Sequence, residues 1–100
     1  MASLKAKSSL KDYQAFVDAV YGPNNQKHFS VDEMLTNINR FAMRGLKGIR
    51  KEDNEKLTRN LVIAMSWTAS LMNQLGVNLE EEVWKRFPNV CSYCGKSPCV

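Results

Sequence analysis

Apolar residues recur three and four positions apart in four separate stretches of this chain, and nowhere do they alternate with period two over a useful length. That pattern predicts an all-α protein. In the first stretch, Leu10, Tyr13, Phe16, Val17 and Val20 form one face behind Ser9, whose hydroxyl can cap with Asp12 three residues on. Gly22-Pro23-Asn24-Asn25 is expected to end that helix. The second opens at Ser30, with Glu33 completing a capping box, and carries Val31, Met34, Leu35, Ile38, Phe41 and Ala42 at helical spacings. Gly45 suits its C-terminal cap, and the basic, polar run from there to Asn54 reads as a connection.

The third stretch is the most regular. Leu57, Leu61, Ala64, Thr68, Leu71 and Leu75 alternate spacings of four and three, a packed seam of the kind found in bundles; Met65 and Met72 widen it and Gly76 stops it. The fourth is short: Asn78 caps, Glu81 closes a box, and Leu79, Val83, Trp84 and Phe87 are expected to face inward until Pro88 ends it. Four helices with short connections predict an antiparallel bundle. Ile63 and Trp67 lie off the third helix's seam, so that helix is apolar on more than one side. It is therefore expected to be central and also to meet another subunit.

Length and composition add limits. One hundred residues make one domain, divided here into a helical bundle over 1–88 and a Cys-rich tail over 89–100. No run approaches the ~18 apolar residues of a membrane span. Met1-Ala-Ser-Leu-Lys5 lacks the apolar core of a secretion signal, which predicts a cytoplasmic protein without a membrane partner. The formal charge of +4 permits a polyanionic partner without demanding one.

The tail concentrates the chemistry. Cys91, Cys94 and Cys99 fall within nine positions, and the preceding ninety residues contain no cysteine. Cys91 and Cys94 bracket a tight turn, Gly95 lets the chain bend back, and Cys99 supplies a third sulfur, as in a structural zinc knuckle. Zinc sites of that kind use four ligands, so His28, a water or a residue beyond Val100 would complete the set. A reduced, metal-free tail and a disulfide such as Cys91–Cys94 are the other readings.

The run from Ser66-Trp67-Thr68 through Leu75-Gly76-Val77-Asn78 to Glu82-Val83-Trp84 and Pro88, followed by Cys-x-x-Cys-Gly-x-x-Pro-Cys at Cys91–Cys99, resembles the small MazG-like, all-α nucleotide pyrophosphohydrolases. Asp12-Tyr13-Gln14 and Val20-Tyr21-Gly22 look like the family's first helix and the loop after it. The resemblance implies a helical homo-oligomer, a dimer or tetramer, that hydrolyses nucleoside triphosphates to monophosphate and pyrophosphate with magnesium or manganese. Such chemistry needs carboxylates as hard ligands and to orient water. The family's acidic positions fall here on Thr36, Asn37 and Arg40 of the second helix and on Asn60 and Ile63 of the third, and none is acidic. Arg40 alone, at ~4 Å and an effective dielectric of ~20, would cost a cation about 4 kcal/mol per unit of its charge. A four-residue slip would place Asp32 and Glu33 in two of the slots and still leave the third helix without acids.

The chain is therefore read as a degenerate member: a pseudoenzyme without magnesium or manganese, serving as an oligomerisation or nucleotide-sensing module, on its own or as one part of a longer protein. An active pyrophosphohydrolase with a rearranged site is the alternative, and a small nucleic-acid or protein-binding adaptor a second one. Arg40, Arg44 and Lys47 are the candidate phosphate-binding residues, against a plain reading as cations that suit a helix C-terminus. Trp67, Trp84, Met34, Met65 and Met72 read as core or interface residues by spacing.

Overall fold

The computed structural model describes residues 4–87 and 89–99. It is all-helical, with no strand among the described residues: α1 spans Leu10–His28, α2 Val31–Arg50, α3 Asn54–Gln74 and α4 Leu79–Arg86. The first two helices begin as expected. Ser9 Oγ accepts the Asp12 N–H while the Asp12 carboxylate accepts that of Ser9, and Ser30 and Glu33 repeat the exchange. Those backbone bonds hold the exposed Asp12 and Glu33 carboxyls below their ordinary range. Asp53 caps α3 and Asn78 caps α4, the latter without a reciprocal bond from Glu81. Pro88, expected to end α4, lies outside the described residues, and α4 closes with Phe87 N–H donating to Val83.

Two expected helix ends are not ends. The first helix runs through Gly22-Pro23-Asn24-Asn25 to His28. An interior proline costs an isolated helix ~3 kcal/mol or more. Here the last two turns are anchored from outside: Asn25 Nδ2 donates to Ser70 Oγ in the interior at 2.8 Å, and Phe29 meets Trp67 edge to face at 5.1 Å. The second helix likewise passes Gly45 and continues to Arg50. Gly45 and Gly48 mark close approach to α3: a Cβ on Gly48 would stand 2.8 Å from the Leu57 nitrogen and 2.9 Å from the Asp53 carbonyl. The connection shrinks to Lys51–Asp53, with Glu52 left-handed at φ 54°. By contrast Gly76, at φ 68°, does stop α3: its N–H bonds the Asn73 carbonyl and Val77 N–H that of Met72.

The third helix is central, packed along α2 as an antiparallel hairpin and against α1, while α4 rests mainly on α1. It is thus a three-helix body with a short fourth helix on one end, rather than four equal rods. Gln14 makes the join: its Nε2 donates to Val77 O at 2.7 Å and its Oε1 accepts Leu79 N–H at 2.8 Å. Asn73 Nδ2 in turn donates to the Gln14 carbonyl.

The core is small and half polar. Among the described residues Val17, Met34, Ala64 and Ala69 are the buried apolar ones, beside buried Gln14, Asn25, Asn37, Asn60 and Ser70. The expected seam of α3 is therefore turned partly outward, since Ala64 is buried whereas Leu61 and Leu75 are exposed. Met65, Trp84 and Phe87 are exposed as well, against expectation; α4 is too short and too peripheral to cover both of its faces.

Most exposed apolar side chains of the hairpin fall on two stripes, with Met43 and Val62 off them. On α2, exposed Val31, Leu35, Ala42 and Ile49 and half-buried Ile38 keep heptad spacing, and so do exposed Leu61 and Met65, half-buried Thr68 and Met72, and Leu75 at the C-cap of α3. Each stripe is offset in the same rotational sense from the residues that join α2 to α3. Because the helices are antiparallel, equal offsets bring both stripes to one side of the hairpin. α1 packs on the other side, where Asn25 and Tyr21 share a 180 Å³ cavity with Ile63, Ser66 and Trp67 of α3.

Candidate functional site

The tail folds back on itself around its sulfurs. Cys91 N–H donates to the Lys96 carbonyl and Gly95 N–H to the Cys91 carbonyl, with Gly95 left-handed at φ 71° where a side chain would be strained. The three sulfurs lie within 4.8 Å of one another, Cys94 and Cys99 at 3.8 Å. Backbone N–H groups of Cys94 and then Tyr93 point at the Cys91 sulfur, and with the neighbouring thiols they pull its pKa down to about 7. The same shared hydrogen bonding, led by Cys91, raises the Cys99 thiol. Three cysteines are thus close enough to bind one metal ion, and their soft donors favour a thiophilic one. His28, the last residue of α1, is not part of that group.

The five positions matched to the family's acids occupy the α2–α3 hairpin. Asn37 and Asn60 are buried, Ile63 is half-buried, and Thr36 and Arg40 are exposed. Thr36 Oγ1 donates to the Asp32 carbonyl and Asn60 Nδ2 to that of Lys56, so both side chains serve their own helices. Asp32 and Glu33 sit exposed in the first turn of α2, Glu33 engaged with Ser30.

Asn60 and Ile63 open onto a cleft of about 500 Å³. Its other walls are Phe41, Arg44 and Lys47 from α2 and Lys56 and Arg59 from α3, with no carboxylate among the lining residues. The Arg44 guanidinium lies over the Phe41 ring, 4.7 Å from its centroid, a cation–π contact at the cleft wall. Two of the three candidate phosphate-binding residues, Arg44 and Lys47, are therefore brought together, and Arg40 stands exposed one turn earlier, outside the lining.

Half of this cleft is legible in the sequence. Lys56 and Arg59 join it only through the antiparallel register of α3. One signal was available: Lys56 is a cation in the first turn of a helix, where the dipole disfavours it, so it is not there to stabilise α3. Among the described residues no helix is long and apolar enough to cross a membrane. Comparison with protein-family models, with curated proteins and with solved structures gave no match to this chain.

Proposed function

We propose that this chain is a catalytically inactive MazG-like domain whose task is assembly, two copies closing face to face over the α2–α3 hairpin. The observation that carries the reading is the pair of uncharged heptad stripes on one side of that hairpin. Leu35 is 59%, Ile49 58%, Leu61 51% and Met65 47% exposed, in a chain that buries four apolar side chains among its described residues. So small a core leaves a single copy with little hydrophobic stabilisation. A self-complementary apolar face meets the same face on a twofold-related copy, which makes a closed contact. The absence of carboxylates from the cleft lining supports the non-catalytic part.

Gel filtration with light scattering tests this. A dimer or tetramer is expected at micromolar concentration, and Leu61→Glu is expected to give a helical monomer, since it would bury a charge in the seam. A monomeric parent chain would overturn the assembly reading. Pyrophosphate release from nucleoside triphosphates with magnesium or manganese, abolished by Asp32→Asn with Glu33→Gln, would overturn the inactive one.

In the same reading the thiol group holds structural zinc, with Cys91, Cys94 and Cys99 as three of its ligands. Thiolate is the ligating form, and the hydrogen bonds to the Cys91 sulfur favour it. Reduced protein is expected to take one zinc per chain, with release of protons, and cobalt in its place should show thiolate absorption. Cys94→Ser with Cys99→Ser should abolish both. A parent chain that retains no zinc after gel filtration would count against the knuckle.

A further inference from the structure

The end of α4 and the cysteine tail form a second surface, built wholly from residues outside the hairpin. Two adjoining hollows, of about 850 Å³ and 240 Å³, share Phe87, Val90 and Cys91 in their walls. Lys85 and Tyr93 line the larger one and Lys96 the smaller, and neither lining contains a carboxylate. Among the described residues the one ion pair is Arg86 with Glu82 at 3.2 Å, which leaves the charges of Lys85 and Lys96 uncompensated. The helix dipole accounts for Lys85, in the last turn of α4, and fails for Lys96, which lies outside the helices. The rings here bury little: Tyr93 is 99% exposed and Phe87 54%. Tyr93 is nonetheless held in place. Its N–H donates to Cys91 Sγ at 3.4 Å, within the turn that Cys91 N–H closes on the Lys96 carbonyl. An aromatic ring presented on an ordered turn binds a partner at low entropic cost.

We infer that the two hollows bind a short stretch of single-stranded nucleic acid, its bases stacked on Tyr93 and Phe87 and its phosphates held by Lys85 and Lys96. A nucleotide brings a flat face for a ring and a charge for a cation, and exposed aromatics beside lysines are what sequence-tolerant strand binding uses. Lys85 stands in one hollow and Lys96 in the next, so the positive charge is spread along the surface as a strand's phosphates are. A peptide finds less to hold it. Among the described residues there is no strand edge for it to extend, and the linings offer a basic peptide no carboxylate. The inference depends on the backbone of the tail, whether or not zinc holds its thiols, and it takes nothing from the α2–α3 cleft.

Fluorescence anisotropy of the full chain with fluorescein-labelled oligonucleotides of about ten nucleotides tests it. Single-stranded RNA or DNA is expected to bind more tightly than a duplex of the same length, and to weaken as salt is added. Tyr93→Ala is expected to weaken binding about tenfold and Tyr93→Phe to leave it intact, since stacking needs the ring and not the hydroxyl. At 99% exposure the substitution removes no packing, so a loss of binding is not a loss of fold. Lys96→Ala should lower the logarithmic salt slope by about 0.7, and Lys27→Ala on α1 should leave it unchanged. Zinc is measured in the same samples: strand binding by a metal-free chain would count against the zinc knuckle and leave this inference standing. No saturable binding, a duplex bound as tightly as the single strand, or a Tyr93→Ala protein that binds like the parent would overturn it. So would displacement of the strand by an acidic peptide of equal charge, which would assign the surface to a protein partner.

Discussion

Replacing Gly48 by alanine is expected to destabilise the fold by about 2 kcal/mol, in a position where helix propensity alone predicts a gain of about 1 kcal/mol. The two effects oppose each other, and contact geometry decides the sign. The new methyl would meet the Leu57 nitrogen at 2.8 Å and the Asp53 carbonyl at 2.9 Å, both backbone atoms that no rotamer change can move. The hairpin would have to part at its turn, where Asp53 N–H bonds the Gly48 carbonyl at 2.8 Å. For a domain of this size about 2 kcal/mol lowers Tm by roughly 8–16 °C. Gly22→Ala is the internal control, because its nearest neighbour is the mobile Asp18 side chain, and it should be neutral or slightly stabilising. Thermal unfolding followed by circular dichroism compares the two. A Gly48→Ala protein as stable as the parent would refute the close packing of α2 on α3.

Gln14→Leu is expected to cost about 2–4 kcal/mol, although it adds an apolar residue to a buried position. The side chain it removes satisfies two backbone groups of the α3–α4 turn, Val77 O and Leu79 N–H, and each group left buried without a partner costs about 1–3 kcal/mol. The loss is local in kind. Hydrogen exchange should show the amides of α4 opening while those in the middle of α3 stay protected. Gln14→Glu is expected to fall between, since a carboxylate still accepts from Leu79 but cannot donate to Val77. If α4 keeps its protection in Gln14→Leu, the clamp is not what holds it.

Local chemistry was readable from the chain and long-range packing was not. Ser9 with Asp12, Ser30 with Glu33, and Gly76 after α3 act on neighbours within four residues, so their spacing states their role. The same holds for Cys91, Cys94 and Cys99, whose closeness follows from a turn. Gly45, Gly48 and Pro23 carry the local signature of helix ends, yet contacts from α3 decide their fate. Leu61 and Leu75 fit a seam by period, but period locates an apolar face without saying what covers it. Lys56 and Arg59 became part of a cleft, and Gln14 a clamp, through residues 9 to 65 positions away.

The mixed interior gives this protein an uncommon distribution of constraint. Where a core is grease, helices can slide by a turn and trade one methyl contact for another. Here Gln14, Asn25 and Ser70 bond specific atoms, so a one-turn slip of α1 along α3 would break directional bonds with nothing to replace them. Sequence drift is therefore cheapest at the leucines and methionines, which exchange volume for volume, and dearest at a few amides and one serine.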